Sequence, residues 1–265
     1  MDKTIELINN LKDIPAMPNV IVKALQVLKS DEAGAPELAK VIKCDQSLCA
    51  KMLAIINSAY YGFRKQITSV NMAISLLGLI KTKNVIIAVA MNPLLSQHGA
   101  KAMWEHSIYT AVGCEYIAEK YKLMNPDDAF ITGFLHDIGK IVLNLIDADK
   151  YQHILNSKLH PDFRLDIETE AMGTNHVLAG ALLAVRWQLP EMITNGIRYH
   201  HMPLKAKDIV LPSIINLVNA IVQDNFEEDW YDDKLAEMIK LNVEDVDILR
   251  EKILMKGDLL LNELS

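Results

Sequence analysis

The sequence predicts an all-α protein, on three observations. Apolar residues recur at helical spacing along nearly the whole chain, while the alternation of a half-buried strand is almost absent. Hydrophobic residues fill 51% of the 265 positions but aromatics only 6%, so the apolar mass is mostly Leu, Ile, Val, Ala and Met. The chain has just 11 Gly and 9 Pro, too few for a sandwich of short strands with a turn at about every ten residues.

The elements follow in order. After Pro18, a first helix carries Val20, Ala24, Val27 and Leu28 on one stripe. Pro36 suits the first turn of a second, with Leu38, Val41 and Ile42 inward. Asp45 can cap a third whose face is Leu48, Met52, Leu53 and Ile56. Ser69 can cap a fourth that carries Val70, Ala73, Ile74 and Leu77 and closes at Gly78. The polar stretch Gln97 to Lys101 is the expected boundary between two helical parts, 1–97 and 98–265. Beyond it, helices are expected around 102–121, 127–135, 137–146, 174–188, 190–200 and 208–224, followed by an acidic, solvated loop at 224–233.

Charge and cysteines narrow the setting. Lys and Arg number 27 against 34 Asp and Glu, a net charge of −7, which excludes broad nucleic-acid binding and leaves room for a local phosphate site. Cys44, Cys49 and Cys114 are odd in number and form no Cys-x-x-Cys pair, as expected of buried, reduced thiols. No secretory signal opens the sequence, and no apolar run approaches the roughly 18 residues of a membrane span. A cytoplasmic protein with no membrane association is expected.

Five of the eight histidines fall in suggestive settings. In Gly133-Phe134-Leu135-His136-Asp137-Ile138-Gly139-Lys140, an adjacent imidazole and carboxylate can both reach one divalent ion, the second carboxylate oxygen remaining free to bridge another. Lys140 lies one helical turn after His136, placed to meet a phosphate oxygen as a point charge. His200-His201 ends an apolar helical pattern, and His106 and His176 each sit near or within another. Inward side chains from several facing helices are how bundles build metal sites. The alternative for each is a core histidine bonded to a backbone carbonyl. His98, His153 and His160 lie in polar contexts and are expected at the surface.

These residues resemble the HD superfamily of metal-dependent phosphohydrolases, in which one helix supplies a His, a later one the His-Asp pair and a further one an Asp. His106, His136 and Asp137 match the first three. Asn219 stands where the last carboxylate is expected, a weaker and uncharged ligand. His176, His200 and His201 match the additional histidines of two-metal members. Within that superfamily the chain looks like the HDOD family (HD-related output domain), a bacterial group. The matching segments are Leu11-Lys12-Asp13-Ile14-Pro15-Ala16-Met17-Pro18, Asp45-Gln46-Ser47-Leu48, Asn57-Ser58-Ala59-Tyr60-Tyr61-Gly62, Trp104-x-His106-Ser107 and Trp187-x-Leu189-Pro190.

The resemblance implies an N-terminal helical subdomain packed on a C-terminal HD-like bundle. It implies one or two divalent ions (Mg, Mn, Fe, Ni or Zn) held by His106, His136, Asp137, His176, His200 and His201, with Asp137 and Lys140 as catalytic candidates. It further implies a stand-alone signal-transduction module acting through signalling proteins. The alternative is a metal-dependent phosphohydrolase acting on a nucleotide or other phosphate-containing small molecule.

Overall fold

A computed structural model describes residues 4–7, 14–29, 34–96, 101–157, 161–223 and 243–264. Among these the chain forms the thirteen α-helices named below, a helical turn at 4–7, and no strand. The first four are α1 (Asn19–Lys29), α2 (Ala35–Lys43), α3 (Gln46–Asn57) and α4 (Val70–Leu95). Then come α5 (Lys101–Tyr121), α6 (Pro126–Leu135), α7 (Gly139–Ile146), α8 (Ala148–Asn156) and α9 (Pro161–Met172). The last four are α10 (His176–Arg186), α11 (Glu191–Tyr199), α12 (Val210–Gln223) and α13 (Val243–Leu264), with a short 3-10 turn at Pro203–Lys205.

Local chemistry sets the ends of the N-terminal helices. Asp45 caps α3 by accepting from the Leu48 N–H at 3.0 Å, and Ser69 caps α4 through the Met72 N–H at 3.2 Å. Gly78 does break its helix, at φ +78°, a conformation that costs a residue with a Cβ about 1–2 kcal/mol. The helix does not end there, however. Thr82 Oγ1 donates to the Gly78 carbonyl at 2.7 Å and the chain re-enters a helix that runs on to Leu95.

α1, α2 and α3 all pack on α4. The Asn57-to-Gly62 motif begins with a clamp: the Asn57 amide donates to the Ile67 carbonyl and its oxygen accepts from the Ile67 N–H, at 2.8 and 2.7 Å. The loop so held aims Tyr60 at Glu115 of α5, and Lys81 of α4 meets the same carboxylate at 3.1 Å. Trp187 donates its indole N–H to the Pro15 carbonyl at 3.1 Å, so the Pro-x-x-Pro segment is tied to the end of α10. One apolar cluster runs from Ile21 and Leu38 through Ile86 and Ile108 to Phe134 and Ile197. A second, between α5, α12 and α13, includes Ile117, Ile214 and Ile253.

Some expectations are corrected. Helices α8 and α9 occupy 148–156 and 161–172, where none was expected. Cys44 is exposed and Cys49 half-buried, leaving only Cys114 in the core. Cys44 follows the last turn of α2, outside its inward face. Two helical stretches, Val70–Leu95 and Pro126–Ile146, are by length and composition apolar enough to cross a membrane. The first breaks at Gly78 and the second at the turn between α6 and α7, and 72% of the second's most apolar window is buried inside the protein. His98, His160 and the acidic stretch 224–233 lie outside the described residues. His153 is exposed.

Candidate metal centre

Backbone packing places the His-Asp pair. α6 ends at Leu135, and His136-Asp137-Ile138 form the turn into α7. α7 crosses α10 at Gly139 and Gly180, so closely that a Cβ on Gly139 would lie 1.9 Å from the His176 carbonyl oxygen. Only glycine permits this approach, and it brings His176, the first residue of α10, against Asp137. α5 supplies His106 from one side, and the turn after α11 supplies His200 and His201 from the other.

The five candidate histidines gather around the Asp137 carboxylate, which is 2% exposed. Its Oδ2 lies 3.2 Å from His136 Nε2 and 3.5 Å from His106 Nε2. Its Oδ1 lies 3.5 Å from His176 Nε2 and 3.9 Å from His200 Nε2. His201 Nε2 faces His176 Nε2 at 3.1 Å. The residues thus form two groups, His106–His136–Asp137 and His176–His200–His201, with the ligand atoms of each within 4.8 Å of one another. Asp137 presents one oxygen to each group. Lys140 joins them differently from the expectation: its Nζ donates to Asp137 Oδ2 at 2.5 Å, as an i,i+3 ion pair.

The inner faces of the rings suit a cation. His136 Nδ1 donates to the Gly133 carbonyl at 2.7 Å and His200 Nδ1 to the Ile197 carbonyl at 2.8 Å. Carbonyl oxygens can only accept, so in the neutral rings the Nε2 lone pairs point at Asp137. Both histidines therefore make the backbone bond of a core histidine and still present a ligand atom. His200 Nε2 is buried with no hydrogen-bond partner, a cost a bound cation removes. Five imidazoles and a carboxylate are a donor set for a divalent transition metal.

Sequence reasoning missed Glu168 on α9. It is fully buried, and its Oε2 accepts from the His176 backbone N–H at 2.9 Å and from His176 Nδ1 at 2.6 Å. The spacing Glu168-x₇-His176 has no helical meaning, and only the turn between α9 and α10 brings the pair together. Asn219 of α12 does reach the site. It is 8% exposed, lies beside His106, and accepts from Gln223 Nε2 at 2.8 Å.

Burial governs the protonation of the cluster. It holds His106 down at about 3, with His136 pushing the same way. His200 and His201 are likewise held well below the usual imidazole range by burial first and by their histidine neighbours next. All three are neutral and ligand-competent at pH 7. Burial alone would raise the Asp137 carboxyl, but the Lys140 ammonium bonded to it holds it well below the usual carboxylate range, and the two N–H groups of His176 hold Glu168 down against its own burial.

Comparison with known proteins agrees with this architecture. The HDOD domain model matches residues 14–203. An uncharacterized protein of Treponema pallidum (strain Nichols) is 26% identical over 201 residues, 73% of this chain, and the chain spans 38% of that relative's length. Among solved structures, one from Shewanella amazonensis SB2B, named a candidate phosphohydrolase, aligns at TM-score 0.78 and 22% identity over 98% of both chains. An HDOD domain protein of unknown function from Geobacter sulfurreducens aligns at 0.75 and 21% identity, over 98% of this chain and 91% of its own. A candidate signal transduction protein from Marinobacter aquaeolei VT8 aligns at 0.78 and 19% identity, over 99% of this chain and 64% of its own. At these identities the structures establish a common fold, and the matched span, most of the chain, establishes the family: this chain belongs to the HDOD family.

Proposed function

We propose that the chain is a signal-transduction module whose helical scaffold carries a divalent metal centre and acts through a protein partner. The observation that carries the reading is the placement of Asp137, with one oxygen toward each of two histidine-rich groups. His106, His136 and Asp137 would hold one ion, and His176, His200 and His201 a second ion or a bound anion. A regulatory rather than hydrolytic role is supported by Asn219, whose neutral amide stands beside His106 in place of a carboxylate and is engaged by Gln223.

A second reading, a metal-dependent phosphohydrolase, is favoured by Lys140, whose ammonium lies at the edge of the centre. A divalent ion there supplies Lewis acidity toward a phosphoryl oxygen and makes water a stronger acid. The chain's own contribution would be to hold the neutral imidazoles by their Nδ1 bonds, keep Asp137 ionised, and place Lys140 against the charge that develops on the phosphoryl group.

The test is metal analysis of the purified protein after growth in medium supplemented with Mn, Fe, Zn, Mg and Ni, followed by partner capture and phosphatase assays. Stoichiometric metal lost in His136→Ala, with a reproducible partner and no turnover, is the expected result. Metal-dependent turnover abolished by Asp137→Ala would move the assignment to the hydrolase. Protein free of metal and of any partner under all conditions would overturn both readings.

A further inference from the structure

The acidic residues of the chain are unevenly placed. From Gln46 to Trp104 the sequence holds no Asp or Glu, while Lys51, Arg64, Lys65, Lys81, Lys83 and Lys101 supply six cations. With a net charge of −7 for the whole, this span carries +6 and the rest of the chain −13. Lys81 is committed to Glu115 of α5. Arg64 and Lys65 are exposed and form no ion pair among the described residues.

Apolar side chains reach solvent on the same stretch. Of the nine large ones most exposed among the described residues, four fall within 63–80: Phe63, Met72, Leu76 and Ile80. Phe63 stacks on Tyr61 and directly precedes Arg64 and Lys65. Met72 and Leu76 lie on successive turns of α4, whose inward side is Val70, Ala73 and Ile74. Lys43, exposed at the end of α2, donates to Asn71 Oδ1 at 3.1 Å, which sets an ammonium at the start of this stripe. At the Gly78 break no atom lies within 4 Å of the place a Cβ would take, and Ile80 is exposed just beyond it. Single exposed apolar residues are ordinary, but a run of them beside cations marks an interaction site.

The same features narrow the occupant. Each of the four side chains is between 36% and 47% exposed, so more than half of each already lies against the protein. They offer a shallow face to pack on and do not project as a membrane anchor does, about 5–10 Å into the interface. Outward residues four apart on a helix suit ridge-and-groove packing by a second helix, which presents apolar anchors at i, i+3 or i+4 and i+7. Lys43, Arg64 and Lys65 favour acidic residues beside those anchors and repel a basic helix. A symmetric pairing of this face with its own copy would set cation against cation.

We propose that the outer face of α4 and the loop before it form a docking surface for an acidic amphipathic helix of a partner protein. This rests on the reading of the chain as a module that acts through a protein, and it does not depend on the metal centre.

The test is fluorescence anisotropy of the full chain with three labelled helical peptides. One has a leucine face flanked by glutamates, a second has lysines for the glutamates, and a third scrambles the first. The acidic amphipathic peptide is expected to bind about tenfold or more tightly than either control, and to weaken as salt rises. Met72→Ser/Leu76→Ser and Arg64→Glu/Lys65→Glu each change only exposed side chains and are each expected to lose about that tenfold gain. Thermal unfolding confirms that both variants are folded. Failure of the acidic peptide to bind, or equal binding of the acidic and basic peptides, would overturn the proposal. So would binding to phosphatidylglycerol vesicles that both variants lose, which would assign the face to a membrane. A dimer of the chain alone, seen by sedimentation and lost in both variants, would assign it instead to a second copy. A partner captured by the wild type and equally by both variants would overturn this surface and leave the partner reading standing.

Discussion

Glu168 Oε2 accepts two hydrogen bonds from His176, one from its backbone N–H at 2.9 Å and one from its Nδ1 at 2.6 Å. The carboxylate thereby sets both the start of α10 and the rotation of the ring, and it leaves Nε2 facing Asp137 at 3.5 Å. Carboxylates that hold a ligating histidine in this way are typically worth about 10–100-fold in metal affinity. Glu168→Ala is therefore expected to weaken manganese or zinc binding by that range, measured by competition with a chelator. Glu168→Gln keeps an acceptor oxygen and is expected to lose less.

Asn219 offers the reverse experiment. Its side chain, 8% exposed, lies beside His106, so Asn219→Asp adds a buried charge at the edge of the first histidine group. With metal the charge gains a partner, and divalent affinity should rise by about tenfold or more as the ligand charge count increases. Without metal the same carboxylate is poorly paired, and the stability of the folded chain should fall by about 1–3 kcal/mol. Opposite shifts in melting temperature with and without metal would confirm both signs. Equal shifts would refute the placement of Asn219.

Acid should destabilise the metal-free protein well above the carboxylate range. His106 is held at about 3, and His200 and His201 well below the usual imidazole value, all chiefly by burial. Because these folded-state values lie below those of the unfolded chain, the unfolded state binds more protons as pH falls below about 6.5. Stability is then complete above that pH and declines beneath it, by about 1.4 kcal/mol per pH unit for each such histidine. Urea midpoints of chelator-treated protein at pH 7.5, 6.0 and 5.0 measure this. A flat profile to pH 5 would contradict the burial of the cluster. Bound metal should move the decline to lower pH, since it competes with protons for the same Nε2 atoms.

Gly139 is the tightest point of the scaffold. A Cβ there would lie 1.9 Å from the His176 carbonyl oxygen and 2.5 Å from the Gly180 amide nitrogen, and backbone on both sides leaves nothing flexible to yield. Gly139→Ala is expected to cost more than about 3 kcal/mol and to lose metal binding even where the chain still folds, because α10 can relieve the clash only by carrying His176 away. Circular dichroism with metal analysis separates the two effects.

Much of the fold was legible because its signals are local. The Asp45 and Ser69 caps act within three residues of themselves, and the periodic apolar faces of α2, α3 and α4 lie on contiguous turns. Legibility failed where those signals weaken. The sequence of α9, Pro-Asp-Phe-Arg-Leu-Asp-Ile-Glu-Thr-Glu-Ala-Met, carries no clear apolar stripe, so nothing local announces the helix that delivers Glu168. Gly78 reads correctly as a break, but whether the chain turns away or resumes its helix depends on the core that receives Val85, Ile86 and Ile87.

By itself the sequence determined the all-α class, the caps and most helix spans, the histidines and aspartate able to ligate, and the amide in place of a carboxylate at Asn219. The class, caps and spans follow from residue type and from spacing within a few turns. The ligand candidates follow from residue type in helical context, while the reading of Asn219 comes only from the resemblance to the HD superfamily. Only the tertiary structure decided that Asp137 divides its two oxygens between two histidine groups, that Lys140 pairs with it, that Glu168 orients His176, and that a cavity opens beside the centre. Each of these joins side chains from different helices. Their distances are set by how closely α7 can cross α10 and how α5 and the end of α11 pack around that crossing, which no local pattern encodes.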